Sequence, residues 1–112
     1  HLINDFFYDL EDVISSSENI INFSKKFSVY KIEHIINMLL FIIINFQKSN
    51  VLENNSKFYS NNNNVIKDYN SKKLDFIYDK LINIKKNIDI IQNNETILFS
   101  ICVLFKKLSK VS

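Results

Sequence analysis

Residues 74–91 read LDFIYDKLINIKKNIDII. In this stretch Leu74, Ile77, Leu81, Ile84, Ile88 and Ile91 recur at spacings of 3, 4, 3, 4 and 3. Side chains three and four residues apart share one side of an α-helix. The alternation therefore predicts a helix with one apolar seam through more than two heptad repeats, and such a seam has to meet another helix to leave water. These six residues are the candidate partner-binding seam, to be covered by this chain, by a second copy of it or by another protein.

The rhythm extends outward in both directions. Downstream, Asn93 and Asn94 interrupt it. Asn tolerates a left-handed backbone and its side chain caps helix N-termini, so one helix is expected to stop here and another to start. The last helix carries Ile97, Leu98, Ile101, Leu104, Phe105 and Leu108, with Lys106, Lys107 and Lys110 at the end where cations suit the helix dipole. Upstream, residues 29–47 are the most hydrophobic element. Ile32, Ile36, Leu39, Ile43 and Phe46 make one seam, with Ile35, Leu40 and Ile42 around it, and this helix is expected to be central and buried. Its unbroken apolar run, residues 38–44, is far shorter than the ~20 residues of a membrane span.

At the beginning of the chain Ile3, Phe6, Leu10 and Val13, widened by Phe7 and Ile14, predict an amphipathic helix whose other face holds Asp5, Asp9 and Asp12. Ser15 and Glu18 have the spacing of a capping box. They predict a second, short helix with Ile20, Ile21 and Phe23 that ends near Lys25 and Lys26. Between Ser49 and Ser71 the pattern lapses through an Asn-rich tract at 61–64. That connection is expected to be a crossover held down by Phe58, Tyr59 and Val65, or partly helical from about Asn64.

Four to five helices joined by a long Asn-rich connection make an all-α, small antiparallel bundle the expected fold, with residues 1–112 as one helical domain. Composition points the same way. Of 112 residues 46% are hydrophobic and 23% charged, enough apolar mass for one core. Gly, Pro, Trp, Ala and Arg are absent while Ile, Asn, Lys, Phe and Tyr abound, the codon bias of an AT-rich genome. Without Gly the chain lacks the backbone freedom on which phosphate-binding loops, nucleophile elbows and dinucleotide turns depend. Tight hairpins depend on it as well, which disfavours a sheet. Because Ile, Phe, Asn and Tyr lie roughly 0.3–0.7 kcal/mol below Ala in helix propensity, the helices must draw their stability from packing against one another.

Charge is modest, +2 overall, but unevenly placed. Asp5, Asp9, Glu11, Asp12 and Glu18 precede any Lys, whereas the chain from Lys72 onward holds eight Lys against Asp75, Asp79, Asp89 and Glu95. The two segments are expected to lie side by side. Asp5, Asp9 and Asp12 form a candidate electrostatic face for a cation or a basic partner, read equally well as a solvated helix face. Lys72, Lys73, Lys80, Lys85 and Lys86 line another helix, yet without Arg there is no bidentate base readout, and no specific nucleic acid is expected.

Candidate reactive residues are few. Cys102 sits among Ile101, Val103 and Leu104, where a thiol acts as a small buried hydrophobe with a raised pKa. Being alone it makes no internal disulfide, so nothing requires an oxidising compartment, and an intracellular setting is favoured. Because the first residue is His1, a fragment or processed product fits as well as a whole protein. Glu33 and His34 are adjacent and diverge on a helix, so they make no ligand pair. No catalytic, metal or cofactor site is assigned. The expected function is a non-enzymatic protein–protein interaction or assembly module. The alternative is a membrane-surface or apolar-ligand-binding helical protein, using a Phe- and Ile-lined cavity or the last helix with Phe99, Phe105 and its terminal Lys.

Overall fold

The computed structural model describes residues 2–16, 20–52, 65–66, 69–90 and 93–109, with side chains to residue 48 in the third helix. They form five helices: α1 Leu2–Ser15, α2 Ile20–Phe27, α3 Ile32–Leu52, α4 Ser71–Lys86 and α5 Asn94–Leu108. No strand occurs among the described residues, and the fold is an all-α bundle.

The apolar seams read from the sequence for α1 and α3 turn inward, as does the first half of the seam of α4. Phe6, Phe7, Leu10 and Val13 of α1 and Phe23 and Phe27 of α2 are buried. The Phe6 ring meets those of Phe23 and Phe27 edge-on at 5.2 and 5.1 Å, a geometry that aligns ring edges with the electron-rich faces. In α3 Ile32, Ile36, Leu39, Ile43 and Phe46 are all buried, as are Ile35, Leu40 and Ile42. These residues, with Leu74, Ile77 and Leu81 of α4 and Ile97, Leu98, Ile101, Cys102 and Phe105 of α5, make one continuous hydrophobic cluster.

The centre of the bundle is α5 rather than the more hydrophobic α3. Helix α5 lies against all four others and most extensively against α2, whereas α3 packs chiefly on α4. One side of α3 faces water, with Glu33, His34, Asn37 and Phe41 exposed. Position in the stack, and not apolar content, decides which helix has the most neighbours. Gln47 near the end of α3 donates to Asp75 Oδ1 at the start of α4 at 3.0 Å, tying the end of one helix to the start of the next. Between α2 and α3 the chain turns through 109°, which leaves the two helices closer to perpendicular than in a simple up-and-down bundle.

Without Gly, helix ends are closed by side chains and short turns. Asn70 and Asn93 are the N-caps of α4 and α5. Their Oδ1 atoms accept from Lys73 N at 2.8 Å and Thr96 N at 3.1 Å, satisfying amides that a helix start leaves unbonded. Asn93 acts through its side chain in an extended backbone (φ −107°), not through a left-handed one. At the other end of α5, Phe105 O is one of the last carbonyls, which lack a regular helical donor. Tyr69 Oη supplies one at 2.7 Å, and its ring meets that of Phe105 at 5.7 Å. Lys106 Nζ does the same for Ile14 O at the end of α1, at 2.6 Å.

Three sequence expectations are corrected. The helix expected from Val29 starts at Ile32. Ser28 N bonds back to Ser24 O and Tyr30 N to Phe27 O, closing α2, and Lys31 O receives the first bonds of α3. The helix expected to reach Ile91 ends at Lys86. There Asn87 N bonds to Ile84 O and Ile88 N to Lys85 O, the tighter three-residue spacing of a terminating turn, while Asn87 Nδ2 takes up Asn83 O. Ser15 is the last residue of α1, its hydroxyl donating to Glu11 O, and is not the N-cap of α2. The acidic start and the Lys-rich end of the chain lie side by side as expected, α1 packing on α5 with Lys106 at the end of α1, while Asp9 bonds to Lys26 of α2. In the connection Val65 is buried as expected, and Ile66 and Tyr69 join it in the core. Glu18, Phe58, Tyr59, Ile91 and Lys110 lie outside the described residues.

Candidate interaction surface

The six-residue seam of α4 is largely spent inside the chain. Leu74, Ile77 and Leu81 are sealed in the core, Ile84 and Ile88 are half-buried against it, and Ile91 lies outside the described residues. The helices that meet the seam are α3 and α5 of the same chain. Three of the six are therefore out of reach of a partner in the folded state.

Apolar surface is exposed elsewhere. Successive helical residues are turned by about 100°. When Ile97, Leu98, Ile101, Cys102 and Phe105 face inward, Phe99 and Val103 must face out. They are 42% and 41% exposed and, four residues apart, adjacent on the helix surface. Ile21 of α2 is 60% exposed and lines with Phe99 an open groove of about 250 Å³, whose other walls are Ser24, Glu95, Thr96 and Ser100. Glu95 and Lys107, both exposed, stand four residues before Phe99 and four after Val103. The earlier signal for this surface was that spacing, 95, 99, 103 and 107. The denser inward pattern of α5 obscures it, and the sequence reading picked out Phe99 alone. Phe105, expected to join Phe99 on a membrane-facing side, is fully buried on the opposite one.

The acidic face of α1 is engaged by α2. Lys26 Nζ donates to Asp9 Oδ2 at 2.6 Å, and that bond raises the Lys26 pKa above its ordinary value. A shallow groove of about 190 Å³ between the two helices is lined by Asp9, Asp12, Val13, Asn22, Phe23 and Lys26. Asp5 and Asp12 are exposed. The basic side of α4 is mixed, because exposed Asp75 and Asp79 stand among Lys72 and Lys80, and Lys80 Nζ lies 5.3 Å from the centre of the exposed Phe76 ring.

The residues with reactive potential are kept apart. Cys102 is fully buried, and burial pushes its thiol up to about 12 from 9.0, so the nucleophilic thiolate is suppressed at neutral pH. His34 is exposed on α3. Among the described residues no three His, Cys, Asp or Glu side chains come together as a metal-binding group. Nor is any single described helix long and apolar enough to cross a membrane.

At the end of the bundle where α2 meets α3 and α4 meets α5, Asn94 Nδ2 donates to Ser28 O at 3.2 Å and to Tyr30 O at 3.4 Å, tying the two turns together. Val29, Tyr30 and Ile90 project from these turns, Val29 and Ile90 being among the most exposed hydrophobic residues described. The chain matches no protein-family model, no curated protein and no solved structure.

Proposed function

We propose that this chain is a non-enzymatic interaction module that docks another protein, or a second copy of itself, through the α2–α5 face. The observation that carries the reading is the exposed pair Ile21 and Phe99 on one groove, with exposed Val103 one turn along α5 from Phe99. Single exposed hydrophobics are ordinary on a soluble protein, but neighbouring ones beside a groove, rimmed by Glu95 and hydroxyl groups, have the make-up of a small interface with an apolar centre and polar edge. The chemistry of the interior agrees with a binding role. The thiol is sealed and held protonated, and the described polar side chains at the grooves are short hydroxyls, one amide and surface charges rather than a buried acid–base pair.

The test is a photo-crosslinking amino acid placed at position 99, with position 37, on the exposed side of α3, as control. A discrete crosslinked polypeptide from position 99 and none from position 37 supports the reading. Equal smears from both, or no product, overturn it.

A second reading, contact with a lipid surface, is favoured by one observation. Val29, Tyr30 and Ile90 sit together at one end of the bundle, and Tyr suits the boundary between headgroups and acyl chains. Co-sedimentation with liposomes that is abolished by Val29→Asp together with Ile90→Asp supports it, and a chain that stays in the supernatant rules it out.

A further inference from the structure

The exposed row on α5 is its own complement. Glu95, Phe99, Val103 and Lys107 follow one another every four residues, and all four are exposed. The row has an acid at one end, a base at the other and two apolar residues between, and it is symmetric about position 101. Reversing the helix therefore sets Glu95 against Lys107 and Phe99 against Val103.

We infer that the partner on this face is a second copy of the chain, with the two α5 helices crossing antiparallel about a twofold axis between Phe99 and Val103. The inference rests on the α2–α5 face being an interaction surface and adds to it the identity and register of the partner. A twofold contact uses the same patch on both chains, so each interaction is made twice. Rows of residues four apart form the ridges that interlock in the commonest helix crossing, and two such rows laid side by side bring each Glu95 to the other chain's Lys107. Thr96 and Ser100, the exposed short side chains beside the row, let the backbones come close. A parallel pairing instead sets Glu95 against Glu95 and Lys107 against Lys107, which like-charge repulsion disfavours. One helix-on-helix contact is small, so the dimer belongs to the weak class and forms only toward high protein concentration.

Sedimentation equilibrium over a hundredfold concentration range tests this. The mass is expected to rise from 13.3 kDa toward twice that value. Phe99→Glu should abolish the rise, while circular dichroism shows the helices unchanged. Glu95→Lys and Lys107→Glu, each alone, should weaken association by about tenfold, since each sets like charges face to face twice. The two changes together in one chain should restore it to within about threefold of the original, because the pairs reform with sign reversed. A dimer that ignores Phe99→Glu overturns the inference, and so does a double variant no stronger than the single ones. A chain that stays monomeric throughout overturns it as well. If position 99 then still crosslinks to a different polypeptide, the interaction reading stands without the second copy. If it crosslinks to nothing, both fall.

Discussion

The seam of α4 and the outer row of α5 are both apolar residues repeated at helical spacing, and they end up on opposite sides of the surface. Leu74, Ile77 and Leu81 recur at 3 and 4, keep to one narrow stripe and are sealed between α4 and its neighbours. Phe99 and Val103 recur at 4 alone, end in a charge on each side and remain exposed. The difference teaches how to separate core from interface in a helix. A 3-and-4 alternation follows a straight line along the helix and calls for a neighbour along its whole length. A strict spacing of 4 drifts around the helix and touches a crossing helix only over a few residues.

The contrast is sharpest between adjacent residues, Cys102 inward and Val103 outward. Thiol reagents should modify native Cys102 roughly 10³-fold or more slowly than a cysteine introduced by Val103→Cys in a Cys102→Ala background, since reaching Cys102 requires the bundle to open. Comparable rates would mean that α5 is not seated as described. The thiol pKa adds a pH signature. It is raised in the folded state, so its stabilising contribution is whole below about 9.0 and is lost as pH rises toward about 12, the unfolded chain ionising first. Cys102→Ala should flatten the alkaline limb of the stability curve.

Next in size is the seam itself. Ile77→Ala should cost about 2–5 kcal/mol in urea unfolding, because the cavity forms where the Ile77 side chain is fully buried. A loss under about 1 kcal/mol would put Ile77 at the surface and undo the comparison. Tyr69→Phe keeps the ring but strips the donor from Phe105 O, and should cost about 1–3 kcal/mol. Asn93→Ala removes the cap of α5, for about 1 kcal/mol, while Asn93→Asp should be nearly neutral. The smallest effect belongs to the outer row. Phe99→Glu should shift monomer stability by no more than about 0.5 kcal/mol, and a larger loss would mark Phe99 as part of the core.

Much of this fold was legible in the sequence. The inward stripes of α1, α3 and α5 follow from periodicity alone, since a helix has one way of gathering residues three and four apart. The breaks at Asn93 and near Lys25 and Lys26 were legible from capping and dipole chemistry. The end of α4 was not. Asn83, Asn87 and Ile88 continue a plausible helix, and it stops because a three-residue turn and the Asn87 side chain close it while α5 begins its return. Tyr69 carried no signal as an anchor either, because its partner is a backbone carbonyl 36 residues away. Candidate surfaces fared similarly. Asp9 was visible as an acid on a polar face, but its bond to Lys26 depends on how α1 and α2 fold back on each other.

By itself, then, the sequence determined the all-α class, the inward faces of α1, α3 and α5 and the exclusion of Gly-dependent chemistry, because these depend on local backbone geometry and on which side chains exist. Only the tertiary structure decided that α5 rather than α3 is the centre, that Leu74, Ile77 and Leu81 of the heptad seam are buried within the chain and that Ile21, Phe99 and Val103 are left outside. The physical reason is that hydrophobic burial has no direction of its own. Apolar spacing specifies that a face must be covered, and the arrangement of the other helices specifies which faces are.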